Sequence, residues 1–113
     1  MNVYSIYNTP EYDEWLEEQP AKSQVQIRER VAHIQDEGYF GDYKNLEDAV
    51  WELRWKNGRR VYFAYIPEKR ILLLLGGNKN GQNQDIHQAK KIFRRHISFE
   101  TSAHDEVETR HRY

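Results

Sequence analysis

Three cationic side chains stand out by type and spacing: Arg54, Arg60 and Lys79. They belong to the stretch from Glu52 to Ile86. It reads E-L-R-W-K-N-G-R-R-V-Y-F-A-Y-I, turns at Pro67-Glu68-Lys69, and continues I-L-L-L-L-G-G-N-K-N-G-Q-N-Q-D-I. Cations gathered on one face can bind a polyanion and stabilise the charge that develops when a phosphodiester bond breaks. No other part of the chain offers comparable chemistry. No pair of carboxylates suited to acid–base work is evident; Glu52 and Asp85 are candidates, and Glu52 is as easily a partner for Arg54. Backbone N–H groups in the G-G-N-K-N-G-Q segment, Gly76 to Gln82, can also hold an anion ahead of a helix. That segment is not a phosphate-binding P-loop, because no Ser or Thr follows Lys79.

Several chemistries drop out. The chain has no cysteine, so it has no disulfide, thiolate zinc site or cysteine nucleophile. Its five histidines, His33, His87, His96, His104 and His111, show no metal-ligand spacing on a shared face. His87 reads as a solvated helix residue. No metal and no cofactor is expected. Met1 to Tyr7 lacks the basic and apolar regions of a signal peptide, and the apolar run Ile71 to Leu75 is too short to cross a bilayer. A cytoplasmic protein is expected.

The elements that must position these cations follow from periodicity. Val3 to Tyr7 reads as a strand. Thr9-Pro10 opens a helix with a hydroxyl cap and a proline at the first position, and Pro20 ends it. A second helix runs from Ala21 to Glu37, with Ile27, Val31 and Ile34 on one face and Gly38 as its cap. Residues 38–48 read as a loop. Ala49 to Trp55 and Arg60 to Ile66 alternate as strands, and Ile71 to Leu75, apolar on both faces, reads as the central strand. Asp85 to Ile97 reads as a last helix, with Ile86, Ala89, Phe93 and Ile97 facing inward. The fold class is α+β in the order β-α-α-β-β-β-α: an antiparallel sheet, two N-terminal helices and a C-terminal helix. Residues 1–98 form one domain on this reading, and 99–113 a polar, flexible tail.

The hairpin register decides what the site contains. A two-residue Asn57-Gly58 turn would mix polar and apolar groups on both faces. A three-residue loop, Lys56-Asn57-Gly58, puts Trp51, Leu53 and Trp55 across from Phe63, Val61 and Arg59. It also sets Arg54 against Arg60 and Glu52 against Tyr62. Slipping by one residue flips every side chain, so burial selects the second register. Two arginines are then directly opposed, which costs stability unless an acid or a bound anion lies between them.

Charge supports an anionic partner. Residues 1–20 carry five acids and no base, while residues 44–99 carry twelve bases against five acids. A basic body between acidic ends suggests nucleic acid.

Four segments in order, Gly41 to Leu46, Val50 to Arg54, Arg59 to Phe63 and Leu73 to Ile86, resemble the RelE/ParE toxin superfamily. The resemblance is to its addiction-module killer, HigB-like branch, and spans about residues 3–95. It implies a RelE-like fold and the toxin of a bacterial type II toxin–antitoxin pair: a metal-independent endoribonuclease that cuts mRNA on the ribosome and so inhibits translation. It further implies a helix-turn-helix, HigA-like antitoxin as partner. Motif by motif, Arg54, Arg60 and Lys79 would be catalytic, and Lys44, Tyr62 and Gln82 would contact RNA. Asn78 stands where that branch usually has Asp, and Arg59 where it has Tyr. A ParE-like gyrase poison and a degenerate, non-catalytic antitoxin-binding module are the alternatives.

Overall fold

The computed structural model describes residues 2–98 with their side chains, and the backbone of the last helix to Arg112. The tail expected over 99–113 lies outside the fully described residues. The elements are β1 (Ser5–Asn8), α1 (Pro10–Glu17), α2 (Ala21–Glu37), β2 (Tyr43–Asn45), β3 (Trp51–Arg54), β4 (Arg59–Ile66), β5 (Arg70–Asn78), a 3-10 turn (Lys79–Gly81) and α3 (Gln82–Arg112). The strands form one sheet in the order β1-β5-β4-β3-β2. Strands β2 to β5 pair antiparallel, and β1 joins β5 in parallel. The sheet is therefore mixed rather than purely antiparallel, because α1 and α2 carry the chain from one edge of the sheet to the other between β1 and β2.

Local chemistry sets the element ends. The Thr9 hydroxyl accepts from Tyr12 N–H at 3.0 Å and donates to the Leu74 carbonyl at 2.7 Å, so one side chain caps α1 and docks it on β5. Gly38 ends α2 in a left-handed conformation with φ of 69°. Lys56 to Gly58 forms the three-residue hairpin loop, and Gly58 takes a φ of 98°. The β3–β4 register pairs Trp51 with Phe63, Glu52 with Tyr62, Leu53 with Val61 and Arg54 with Arg60, the one that burial selects from the sequence.

Each sheet face has its own core. Tyr12, Leu16, Ile27 and Ile34 from α1 and α2 bury Leu53, Val61, Phe63, Ile71 and Leu73. Ala89, Ile92 and Phe93 from α3 bury Tyr62, Ala64, Ile66, Leu72 and Leu74 on the other side. A bulge between Tyr62 and Phe63 shifts the β4–β5 register. It lets both Leu74 and Leu75 join the α3 side.

Several features differ from the sequence expectation, among them the bounds of α3, which runs from Gln82 to Arg112. The loop expected over 38–48 contains β2. Arg30 holds that segment by donating to the Phe40, Asp42 and Arg54 carbonyls. Gly76 and Gly77 lie inside β5 rather than in a loop. Helix α3 starts at Gln82, three residues earlier than Asp85. Ile97 is 45% exposed instead of facing inward. Between β2 and β3, Glu47, Asp48 and Ala49 all take positive φ values, at a cost of roughly 1–3 kcal/mol each. This sharp turn delivers Val50, fully buried, into the α3-side core.

Candidate anion-binding site

Two rows of paired residues cross the α3-side face near the hairpin tip. Lys44, Glu52, Tyr62 and Leu75 form one row, and Arg54, Arg60 and Gly77 form the next. Directly opposed residues share a face, so the topology alone brings Arg54, Arg60, Glu52 and Tyr62 together.

Glu52 sits at the centre and is fully buried. Its Oε1 lies 3.4 Å from Arg54 Nε and 3.7 Å from Arg60 Nε. Its Oε2 accepts from Gln82 Nε2 at 2.7 Å. One carboxylate thus faces two guanidiniums, which leaves the cluster net positive. Arg60 is buried, and its Nη1 donates to the Trp55 and Arg59 carbonyls at 3.2 and 3.0 Å. The Arg54 side chain is 37% exposed, so of the two it is the one that presents charge to solvent.

The first turn of α3 closes over this face. Asp85 lies against Gly77: a Cβ there would stand 2.1 Å from Asp85 Oδ2. Burial raises the Asp85 carboxyl above its usual range. The Tyr62 hydroxyl is buried without a hydrogen-bond partner. Burial first, then the neighbouring carboxylates of Glu52 and Asp85, push its pKa well up, so it stays a neutral donor. On the other side of the same strand, a Cβ on Gly76 would stand 2.1 Å from the Trp15 ring. The paired glycines therefore let a helix approach from each face.

The remaining cations flank the cluster. The Lys79 N–H donates to the Gly58 carbonyl at 2.8 Å. Its side-chain stem lies against Gly58, so Lys79 stands exposed at the hairpin tip. Lys44 is exposed on edge strand β2, in register with Glu52. Of the residues named from sequence, Arg54, Arg60, Tyr62 and Gln82 converge on Glu52, while Lys44 and Lys79 mark the rim. Tyr62 has no exposed surface, and Gln82 is committed to Glu52.

Sequence reasoning named Glu52 as the acid beside the opposed arginines, as the structure has it, but not its bond from Gln82, and it missed the contact of Asp85 with Gly77. A lone acid in the alternating arginine row was the available signal for Glu52. It also missed how Arg59 is held: its guanidinium reaches Ser23 Oγ and Gln26 Oε1 on α2. Among the described residues, no group of three or more His, Cys, Asp or Glu is placed to hold a metal ion. No helix among them is long and apolar enough to cross a membrane.

Comparison with known proteins agrees with this architecture. Residues 14–96 match the family described as Phage derived protein Gp49-like (DUF891). An uncharacterized protein of Haemophilus influenzae is 36% identical over 90 residues, which covers 77% of this chain and 90% of that protein. Among solved structures, a mutant of the E. coli toxin RelE in the free state superposes with a TM-score of 0.63 at 10% identity, covering 78% of this chain and 94% of that one. The toxin–antitoxin complex RelBE2 of Mycobacterium tuberculosis gives a TM-score of 0.56 at 15% identity, over 67% of this chain and 98% of the matched chain. The intact E. coli RelBE toxin–antitoxin complex gives 0.57 at 12% identity, over 66% and 95%. The chain belongs to the phage-derived Gp49-like family and carries the fold of the RelE toxins.

Proposed function

We propose that this protein is the toxin of a toxin–antitoxin pair and acts by cleaving mRNA on the ribosome. The observation that carries this reading is the pairing of Arg54 with Arg60 around a single buried carboxylate, with Lys79 at the rim. The likeness to RelE chains, two of them described in complex with an antitoxin, supports an antitoxin partner. A helix-turn-helix, HigA-like antitoxin is the specific form proposed.

The chemistry uses the RNA's own nucleophile. The 2′-oxygen forms a bond to the adjacent phosphorus as the bond to the 5′-oxygen breaks. One proton leaves the 2′-hydroxyl and one reaches the departing 5′-oxygen. Arg54 and Lys79 stabilise the extra negative charge on phosphorus, an effect that fixed cations supply without reorganisation. Glu52, its Oε1 within ion-pair distance of both guanidiniums, orients the two arginines. Asp85, whose carboxyl burial makes more basic, is suited to the proton transfer. Lys44 extends the positive rim along the RNA backbone, and Tyr62 and Gln82 shape the floor beneath it.

One observation favours a second reading. Gln82 seals Glu52, and Tyr62 is fully covered, as suits a non-catalytic antitoxin-binding module. Induced expression in a bacterial host, with mRNA 5′ ends mapped while growth is followed, separates the readings. The nuclease predicts arrest with new cuts inside translated frames, both lost in Arg54→Gln with Lys79→Ala. Arrest without cuts points to a gyrase poison instead. Folded protein without arrest points to the binding module.

A further inference from the structure

The stretch of α3 from Gln82 to Ser98 carries Lys90, Lys91, Arg94 and Arg95 against one acid, Asp85, in a chain whose net charge is −1. The four bases differ in their surroundings. Lys90 lies 3.3 Å from Asp48, and Arg95 pairs with Glu11, so the charge of both is answered. Lys91 and Arg94 are exposed, on the side of the helix away from the buried Ala89, Ile92 and Phe93. No acid lies within four residues of either along the helix. Among the described residues neither has an ion-pair partner. An acid three or four positions away would stabilise a surface cation on a helix. Here each has the other at that spacing, so the two repel, and a bound anion would relieve the repulsion.

This ridge begins at the anion site. Gln82, the first residue of α3, donates to Glu52, and Lys79 precedes it in the 3-10 turn. With Asn80, Gly81, Asn83 and Gln84, these two residues line a polar cavity of about 390 Å³ whose lining has no carboxylate. From Gln84 the exposed positions step along the helix through His87 and Lys91 to Arg94. Each lies three or four residues beyond the last, so each is adjacent to it on the helix surface. At roughly 1.5 Å per residue, Gln84 to Arg94 spans about 15 Å. That is the length of about four stacked nucleotides.

We infer that the outer face of α3 is a phosphate track. The RNA strand held at Arg54 and Lys79 continues past Gln84 and His87, and Lys91 and Arg94 each neutralise one of its phosphates. Contacts to phosphate rather than to base edges add affinity without reading sequence. The inference rests on the RNA-cleaving reading and names the surface that holds the flanking strand.

The test measures binding of the intact protein to 2′-O-methyl oligonucleotides, which cannot be cleaved, of three and of twelve nucleotides, over a range of salt concentrations. Each phosphate neutralised on a single strand adds about 0.7 to the slope of log affinity against log salt. The slope is therefore expected to be about 1.4 steeper for the longer oligonucleotide. That readout does not depend on how many registers a longer strand offers. Lys91→Gln with Arg94→Gln is expected to remove the difference and leave binding of the short oligonucleotide unchanged. Glutamine keeps the helix propensity of the residues it replaces. Lys22→Gln with Arg28→Gln, the same charge change on α2, is expected to leave both slopes as they are. Equal wild-type slopes, an unchanged slope in the α3 variant, or an equal drop in the α2 variant would overturn the track. An unchanged slope in the α3 variant would leave the ridge to an acidic protein segment. No binding to either length would also overturn it, while mapping of mRNA cuts judges the nuclease reading by itself.

Discussion

The two faces of the sheet are built from the same strands and solve different problems. The face under α1 and α2 is apolar and aromatic through its middle, with Phe40 stacked on Phe63 at 5.4 Å, and turns polar where Arg59 reaches Ser23 and Gln26. The face under α3 is apolar only where Ala89, Ile92 and Phe93 reach it. Towards the hairpin tip it turns polar, with Glu52, Arg54 and Arg60 in place of aliphatics. One side holds the fold and the other places the charge. A sheet can carry a costly like-charge pair when its opposite face holds a well-filled core.

That contrast can be broken at either end. The largest effect belongs to the apolar face. Phe63→Ala should lower unfolding free energy by about 3–5 kcal/mol, measured by denaturant titration, while the mRNA cut sites of the protein that stays folded do not change. Glu52→Gln comes next, at about 3 kcal/mol, because it leaves two guanidiniums without their shared carboxylate. Unlike Phe63→Ala, it should also weaken cleavage, since Arg54 and Arg60 then repel. If Glu52→Gln costs stability and leaves cleavage intact, the division between the faces is wrong.

Smaller changes sharpen the same comparison on a single strand. Gly76→Ala drives a methyl into the rigid Trp15 ring and should cost about 1–3 kcal/mol. Gly77→Ala meets the end of the Asp85 side chain, which can swing away, so its cost should be lower. Comparing the two melting temperatures tests which helix is the firmer wall. The smallest effect is Asp85→Asn. A carboxyl raised by burial is destabilising when ionised. That penalty is absent below the unfolded value of 3.8 and grows as pH rises through the folded value. Asp85→Asn should therefore raise the melting temperature slightly at neutral pH and lose its advantage below about pH 3.8.

Much of the scaffold was legible in the residues. Thr9-Pro10, Pro20 and Gly38 mark helix ends through local stereochemistry, and the alternation around Trp51 to Trp55 admits one hairpin register once burial is imposed. What was not legible depends on distant partners. β2 is three exposed residues without alternation, held by an arginine from α2. Gly76-Gly77 reads as a breaker pair in isolation, whereas two helices pressing on β5 explain the missing side chains. Arg54 and Arg60 were identifiable as a pair. The burial of Tyr62 and the bond from Gln82 to Glu52 depend on where α3 lands, which a period of 3.6 does not specify.

The parallel pairing of β1 with β5 has a consequence for how the chain reaches this state. The Thr9 hydroxyl and the Leu74 carbonyl that it bonds are 65 residues apart. During synthesis the first strand emerges long before its neighbour exists, so the β3–β4–β5 meander, built from near-neighbour contacts, should form first. β1 and the capped start of α1 would then dock last, closing the longest loop in the sheet. Amide hydrogen exchange should accordingly find Ser5 to Asn8 less protected than β4, the other strand paired to β5, and the N-terminal edge the first to open.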